Sequence, residues 1–187
     1  QVKAANLFTN GFTQTIGDGA AFFSAAHPTI SAGLQSNLMA AADLTEATLE
    51  TALTSIQKIT DDRGILIGAS AVSLHVPVDS WAIADRIMSS PGNTQTSAAQ
   101  ANPNNNAINA VRHMGMIPEG YFINRRFTDV DSYFIKTDVP NGAKMFVRSP
   151  LQTKMEPDFD TGNLRFKARE RYSFGVSDWR GYFGSAG

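Results

Sequence analysis

Apolar residues recur at helical spacing in two segments of the chain. In the first segment they are Leu49, Ala52, Leu53, Ile56 and Ile59. Thr45 or Asp43 is the candidate N-cap, because the side-chain oxygen of threonine or aspartate accepts a hydrogen bond from a free backbone N–H at a helix start. Gly64 is predicted to end this helical region. A second, shorter helix is predicted from Trp81 to the Pro91-Gly92 step.

Strand patterns begin after the first helix and dominate the second half of the chain. The predicted strands cover residues 65–67, 72–76, 121–127, 133–137 and 145–148. Asn141-Gly142 lies between the last two, and this dipeptide favours a hairpin turn between paired strands. Because helices come early and strands late, the pattern predicts an α+β fold.

The longest strand pattern covers residues 164–176, near the end of the chain. Leu164 and Phe166 alternate with Arg165 and Lys167, so apolar and basic residues lie on opposite faces. Strands average about 5 to 6 residues, so this one is unusually long. Its basic face suggests a subunit that meets neighbouring copies along its length. A basic strand that simply faces solvent is the alternative.

Length and composition indicate a folded domain with few chemical specialisations. A chain of 187 residues with 42% hydrophobic residues can bury a real core. The formal net charge of -1, without a long block of like charge, argues against sequence-specific nucleic-acid binding. The chain contains no cysteine, which excludes disulfides, thiolate catalysis and cysteine-bound zinc. No apolar run approaches the roughly 20 residues of a membrane span, so no membrane partner is expected.

The strongest candidate for catalysis is Asp160-Thr161-Gly162, because aspartic proteases place a catalytic carboxylate on such a turn. That chemistry needs two carboxylates that share a proton, and here the second would have to come from a homodimer. A plain turn explains the same residues, with glycine where a positive φ is required. We therefore predict a protein that is not an enzyme, and the homodimeric protease is a less favoured alternative.

Metal ligands are not grouped in the sequence. A calcium loop that began at Asp158 would have Gly162, Asn163 and Arg169 where it needs an oxygen ligand, glycine and glutamate. The three histidines are far apart and are predicted to be structural: His27, His75 and His113. No metal site and no cofactor is predicted.

Basic and aromatic side chains supply the candidate contact surface. The basic residues could meet phosphates, but acidic residues are interspersed, so acidic groups of a neighbouring subunit are at least as good a match. Trp81 is predicted to lie in the core, whereas Trp179, Tyr182 and Phe183 are predicted to be interface anchors. The candidate inter-subunit contacts are Arg125, Arg126, Arg165, Lys167, Arg169 and Trp179.

The sequence resembles the major capsid proteins of tailed phages in five stretches that follow the family's order. These are GDGAAFFSAAHP, LTEATLETALTSIQKITDDRG, SLHVPVDSWAIADRIMSSP, DVDSYFIKTDVPNGAKMF and FDTGNLRFKARERYSFGVSDWRGYFG. More narrowly, they resemble the Mu-like major head subunit group, whose shell architecture is called the Johnson fold. The likeness spans nearly all of the chain, although no single stretch is decisive.

The resemblance implies a Johnson-type α+β fold with an axial domain and part of a peripheral domain. Residues 1–29 would be the end of the spine helix and its connector, residues 30–150 the axial domain, and residues 151–187 the long strand and C-terminus of the peripheral domain. The polar stretch 93–109 is predicted to be an exposed loop of the axial domain. Its candidate residues are Asn102, Pro103 and Asn104.

The resemblance also implies a structural role. The protein would be a major capsid subunit that assembles with copies of itself into pentamers and hexamers of an icosahedral shell around double-stranded DNA. Scaffold, portal and other head proteins are implied partners, with assembly in the host cytoplasm and a final location in the virion capsid. The N-terminal arm and extended loop of the family have no counterpart here, which suggests a fragment. An encapsulating nanocompartment shell, which shares the Johnson fold, is the alternative.

Overall fold

The computed structural model describes residues 2–92 and 108–187. The described helices are α1 (Val2–Thr9), α2 (Glu46–Gln57), α3 (Trp81–Ser89) and α4 (Ala110–His113), and a 3-10 turn covers Trp179–Gly181. The described strands are β1 (His27–Pro28), β2 (Leu34–Gln35), β3 (Ala71–Val76), β4 (Tyr121–Ile123), β5 (Tyr133–Thr137), β6 (Ala143–Pro157), β7 (Leu164–Val176) and β8 (Tyr182–Ser185). The predicted α+β class is confirmed. Within the described ranges, no helix is long and apolar enough to cross a membrane.

Helix α2 begins where the sequence predicts it. The Thr45 hydroxyl accepts a hydrogen bond from the Thr48 backbone N–H at 3.2 Å, and the Thr48 hydroxyl accepts one from the Thr45 N–H at 2.9 Å. This reciprocal pair satisfies two backbone donors that would otherwise lack partners at the helix start. The predicted apolar face is buried, with Leu49 and Ile56 fully inaccessible to solvent.

A four-stranded sheet in the order β4-β3-β5-β8 provides one side of the main core. Strand β3 is parallel to β4 and antiparallel to β5, and β8 pairs antiparallel with the other edge of β5. Leu74 lies opposite Ile135, and Ile135 lies opposite Phe183. All three share one buried apolar cluster with the inner faces of α2 and α3. The last strand of the chain therefore completes a core that the middle of the chain begins.

A second cluster, made largely of phenylalanines, joins α1 to the sheet. Phe22 and Phe23 stack with ring centroids 4.3 Å apart, and Phe23 lies 5.1 Å from Phe134 of β5. Leu7 of α1 is buried in the same cluster. Gly184 of β8 is required here, because a Cβ at this position would lie 2.8 Å from the Phe23 ring, well inside the normal separation of carbon atoms.

Asn37 ties the segment before α2 to the C-terminal segment. Its side chain is fully buried, and its Oδ1 accepts a hydrogen bond from the Ser24 N–H at 3.0 Å. Its amide nitrogen donates to the carbonyl oxygens of Phe22, Trp179 and Tyr182, at 2.8, 3.1 and 3.0 Å. Buried backbone groups need hydrogen-bond partners, and one side chain supplies them to two segments that are far apart in sequence.

His27 is buried beside Asn37 and has a structural role. Its Nε2 lies 2.9 Å from the Asn37 Oδ1, and its Nδ1 lies 2.6 Å from the Asp18 carboxylate. The imidazole stacks on Trp179 with ring centroids 4.3 Å apart and an interplanar angle of 2°. The Arg180 guanidinium lies 4.4 Å from the centre of the same indole. Polar and aromatic contacts together hold the connector around His27 against the end of the chain.

The two tryptophans exchange the positions that the sequence predicts for them. Trp179, a predicted interface anchor, is only 5% exposed, so its ring is not available to a neighbour in this conformation. Trp81, predicted to lie in the core, is the first residue of α3 and is 50% exposed. Phe183 is also buried, because β8 enters the central sheet. The spacing of the aromatic residues does not show that this final strand returns to the core.

Two strand predictions are wrong, and a third, residues 121–127, is too long because β4 ends at Ile123. Residues 65–67 form a loop after α2, where the Asp61 carboxylate accepts hydrogen bonds from the backbone N–H groups of Arg63 and Ile65 at 2.8 and 2.9 Å and curls the chain. The turn at Asn141 is present, with φ 68°, but it does not join a hairpin. Strand β5 pairs with β3 and β8, whereas β6 leaves that sheet and pairs with β7.

Candidate inter-subunit surface

Strands β6 and β7 form a two-stranded antiparallel ribbon, here called the ribbon (residues 143–176). Pairing runs from Ala143 opposite Val176 to Pro157 opposite Leu164. The predicted long strand is confirmed as β7, which has 13 residues, and its partner β6 has 15. A two-stranded ribbon is at best marginally stable in water unless another layer covers it. What covers each face therefore decides how the ribbon is held.

The half of the ribbon nearest the central sheet packs against the rest of the chain. Ala143, Phe174 and Val176 contact the phenylalanine cluster. The Lys3 ammonium of α1 lies 5.5 Å over the ring of Tyr172. Directly opposed residues of an antiparallel pair share a face, and the register puts all four ribbon residues on one face. This face is thus apolar and partly covered at its base, where Met145 and Val147 are still 50% and 55% exposed.

The far half of the ribbon continues the same face into solvent. Met155 lies opposite Phe166, and Leu164 follows two residues before Phe166 on the same side. These three side chains are 64%, 61% and 66% exposed, and Phe159 in the connecting turn is completely exposed. A contiguous exposed apolar surface is characteristic of a site of protein–protein contact. We call this surface, Met155, Leu164 and Phe166 with the tip residue Phe159, the apolar face of the ribbon.

The opposite face of the far half is basic. The pairs on it are Gln152 with Arg169, Lys154 with Lys167, and Glu156 with Arg165. The structure therefore brings three of the predicted contact residues, Arg165, Lys167 and Arg169, together on one exposed face. Lys154 and Lys167 face each other directly, which destabilises a strand pair, and the Glu156 carboxylate, 3.3 Å from the Lys154 ammonium, offsets part of this repulsion.

The turn at the tip of the ribbon is held together by the side chain of Asp158. The Asp158 carboxylate accepts hydrogen bonds from the Thr161 hydroxyl at 2.7 Å and the Arg165 guanidinium at 2.6 Å. Gly162 has φ 69°, as the plain-turn interpretation predicts. Asp160, the candidate catalytic residue, is exposed beside Phe159. Among the residues that the structure describes, no three acidic or histidine side chains are grouped as metal ligands.

The remaining predicted contact residues lie elsewhere. Arg125 and Arg126 are exposed in the turn after β4, where the Asn124 side chain accepts the Arg126 backbone N–H at 3.1 Å. This turn follows β4, which is an edge strand of the central four-stranded sheet. The central sheet, and not the ribbon, therefore positions Arg125 and Arg126. The candidate loop residues Asn102, Pro103 and Asn104 lie outside the described residues.

Charge is divided unevenly between the ribbon and the rest of the chain. The ribbon contains seven Lys and Arg residues and four Asp and Glu residues, which gives a formal charge of +3. The rest of the chain contains nine Lys and Arg residues and thirteen Asp and Glu residues, which gives it a formal charge of -4. The near-neutral total therefore hides a basic ribbon attached to an acidic body, a division that composition alone does not reveal.

These features define a class of protein: an α+β domain with an exposed amphipathic arm. The chain belongs to the phage capsid protein family, because the sequence model of that family, described as "Phage capsid protein", matches residues 2–183. The protein is therefore a capsid subunit. No curated protein sequence matches the chain.

The solved structures that are similar to this chain include the following two. One is a virus-like particle from Pyrococcus furiosus, with 11% identity and a TM-score of 0.47 over 79% of this chain and 55% of the other. The other is from Mycobacterium phage Che8, with 17% identity and a TM-score of 0.44 over 80% of this chain and 53% of the other. The chain spans about half the length of these two solved chains.

Proposed function

We propose that the protein is the major head subunit of a tailed phage, of the Mu-like group, and that it assembles with copies of itself into pentamers and hexamers of an icosahedral shell. The observation that carries the proposal is the ribbon, whose far half exposes an apolar and a basic face. The family match supports the structural role. The shell encloses double-stranded DNA, resides in the virion and is assembled in the host cytoplasm with scaffold and portal proteins.

Repetition supplies the stability of such a shell. Heterologous contacts close into rings when the rotation between subunits permits it. Each subunit in a ring touches several neighbours, and every contact after the first forms at high effective concentration. Arg125, Arg126, Arg165, Lys167 and Arg169 are proposed contacts, because all five are exposed. Catalysis has no part in this function, and no cofactor is required.

The division into domains follows the sheets. We assign the four-stranded sheet with α2 and α3 to the axial domain, and the ribbon with α1 to the peripheral domain. The boundary predicted between residues 150 and 151 lies inside β6, so the proposed division keeps the ribbon whole. Strand β8 lies within residues 151–187, which were predicted to be peripheral. We assign it to the axial domain, because it pairs with β5 of the four-stranded sheet.

Electron microscopy tests the function. The protein is expressed in a bacterial cytosol, purified, and examined by sedimentation and negative staining. Shells, or rings of five and six subunits, are the expected result. A monomer or simple dimer that persists at high concentration would contradict the proposal. In that case, Asp160→Asn tested for loss of peptide cleavage would decide whether the homodimeric protease is the correct alternative.

A further inference from the structure

The ribbon carries a row of five cations along one side, here called the basic face of the ribbon. Alternation within β7 and the pairing with β6 place these residues together: Lys154, Arg165, Lys167, Arg169 and Arg171. Lys154 is bound to Glu156 at 3.3 Å, and Arg165 is bound to Asp158 at 2.6 Å. The other three cations are exposed and form no ion pair with another described residue. Most of this face is therefore left without an acidic partner in a single copy.

A cleft of the opposite charge lies at the base of the ribbon. It has a volume of about 370 Å³, and its lining comes from within residues 61–69, 138–140 and 178–180. The last two segments flank the ribbon, because the Asp178 N–H donates to the Asn141 carbonyl at 2.9 Å just outside the first strand pair. The charged lining residues are Asp61, Asp62, Asp138, Asp178 and Arg180. Four carboxylates and one cation give this acidic cleft a formal charge of -3.

Two of the carboxylates in the acidic cleft are fixed by backbone groups and have no cation bound to them. The Asp138 carboxylate accepts the Ser70 N–H at 2.8 Å. A hydrogen bond from the Ile65 N–H lowers the pKa of Asp61 and favours its charged form. The single cation of the cleft binds Asp62 at 2.7 Å. Asp61 and Asp138 are therefore charged partners that a second molecule can reach.

The arrangement of the carboxylates favours cationic side chains over a bound metal ion. Within the part of the chain that the structure describes, no three acidic or histidine side chains are grouped so that they could hold a metal. Arg180 shows that the cleft accommodates a guanidinium, because its side chain lies 2.7 Å from Asp62 and 3.6 Å from Asp178. A further arginine or lysine would meet the carboxylates that Arg180 does not bind.

The acidic cleft and the basic face of one copy are held apart by the length of the ribbon. An antiparallel strand rises about 3.4 Å per residue. Arg169 is seven residues from Val176 at the base of the ribbon, so an extended β7 places it about 24 Å from that base. Lys167 lies two residues farther out. Because the cleft is at the base, the cations of a second copy are better placed to reach it.

We propose that the basic face of the ribbon in one copy docks against the acidic cleft of a second copy. The charges on the two docking surfaces match: together with Glu156 and Asp158, the five cations give the basic face +3, against -3 in the cleft. Opposite charges accelerate the encounter of two surfaces and orient it. The two surfaces are different, so the contact is heterologous and can extend from copy to copy around a ring. The inference rests on the proposed self-assembly and adds the two surfaces that meet.

Packaged DNA is a less favoured occupant of the basic face. Its phosphates would neutralise the cations, but the carboxylates of the acidic cleft would remain uncompensated. A contact between two copies neutralises both surfaces at once.

Cross-linking tests this contact with every charge retained. The chain has no cysteine, so thiols are introduced at neutral positions: Gln152→Cys, opposite Arg169 on the ribbon, and Ile67→Cys in the cleft. Shells are assembled from a mixture of the two variants and treated with a short bis-maleimide. A cross-linked heterodimer is expected from the mixture and is expected to be absent when each variant is treated alone. Ile83→Cys replaces Ile67→Cys in the control mixture, because the two isoleucines are 41% and 40% exposed but Ile83 lies on α3, outside the cleft.

Charge reversal shows whether the cations carry the contact. Lys167→Glu and Arg169→Glu are added to the Gln152→Cys chain, and the yield of heterodimer is expected to fall to that of the control mixture. Arg86→Glu with Arg112→Glu is the matched pair, since both arginines are exposed but lie outside the ribbon, and it should leave the yield unchanged. A yield that survives the reversal in the ribbon overturns the inference.

The outcomes separate this inference from the proposed function. Shells that form without a 67–152 cross-link, or with no more of it than the control gives, overturn the docking and leave the capsid role intact. A 152–152 cross-link would show that ribbons pair with each other and would also overturn it. Shells that lack the 67–152 cross-link and lose DNA on charge reversal would identify the ribbon as a DNA-contacting surface instead. Absence of shells from the unsubstituted protein overturns both.

Discussion

Asn37 shows how a single polar side chain can hold distant parts of a capsid subunit together. It meets carbonyl oxygens before α2 and at the end of the chain, and it also contacts His27. The surrounding rings of Phe22 and Trp179 keep water out, since both residues are buried. Loss of this amide would remove the side-chain partners of the Phe22 carbonyl and the Ser24 N–H, whereas the Trp179 carbonyl would keep the Tyr182 N–H; a buried polar group without a partner costs more than the loss of an exposed hydrogen bond.

We predict that Asn37→Ala lowers the free energy of unfolding by about 3 kcal/mol, because buried carbonyl groups lose their donor. Urea denaturation of the unassembled subunit measures the change. Asn6→Ala is the matched control, since Asn6 is exposed on α1, and it should leave the midpoint nearly unchanged. Equal midpoints for the two variants would show that Asn37 does not hold the two segments together.

The ribbon differs from the other elements of the fold because only one of its two halves packs against the rest of the chain. Its base is anchored by apolar contacts to the phenylalanine cluster, whereas its far half is exposed on both faces. We therefore expect the two halves to serve different purposes: the base contributes to the stability of the subunit, and the far half is the proposed surface for contacts with other molecules.

Shortening the ribbon should separate these purposes. Residues 153–168 are replaced by Asn-Gly, so that Gln152 and Arg169, which face each other, flank a two-residue turn. We predict that the free energy of unfolding changes by less than about 1 kcal/mol, as expected for surface changes, while shell formation is lost. Sedimentation and urea denaturation measure the two effects. Shells assembled from the shortened chain would show that the far half is not a contact surface.

The whole molecule has an electrostatic polarity that its net charge hides. The ribbon has a formal charge of +3 and the rest of the chain a formal charge of -4. Between neighbouring copies, two ribbons therefore repel each other, as do two bodies, whereas the ribbon of one copy attracts the body of another. Such attraction favours head-to-tail association over contacts between like surfaces. Screening by salt should therefore affect how fast subunits associate more than it affects the fold of each subunit.

We predict that assembly slows on the order of tenfold as ionic strength rises from about 0.1 M to about 1 M, because the Debye length falls from about 10 Å to about 3 Å. Light scattering after mixing gives the rate. The double variant Lys167→Gln with Arg169→Gln should assemble more slowly at low salt and lose less of its rate at high salt. If the assembly rates of the unsubstituted protein and the double variant do not change with salt, electrostatic attraction does not control assembly.

The elements that depend on local chemistry were predictable from the sequence. The cap at Thr45, the apolar face of α2 and the bounds of β5 and β7 follow from side-chain oxygens, from helical spacing and from alternation within a few residues. The basic face that carries Arg165, Lys167 and Arg169 is visible in the same alternation, and five short stretches were enough to indicate the capsid family.

Strand pairing and burial were decided only by the tertiary structure, because they depend on contacts between residues far apart in the chain. Asn141 predicted a turn correctly, but nothing local reveals that β6 pairs with β7 and not with β5. Trp179 is buried because the chain end returns beside His27, 152 positions earlier. Residues 30–35 likewise lie beside residues 60–66 only because hydrogen bonds join these two segments, which are distant in sequence. Local sequence determined what each segment of this protein can form, and long-range packing determined which surfaces are left for a neighbour.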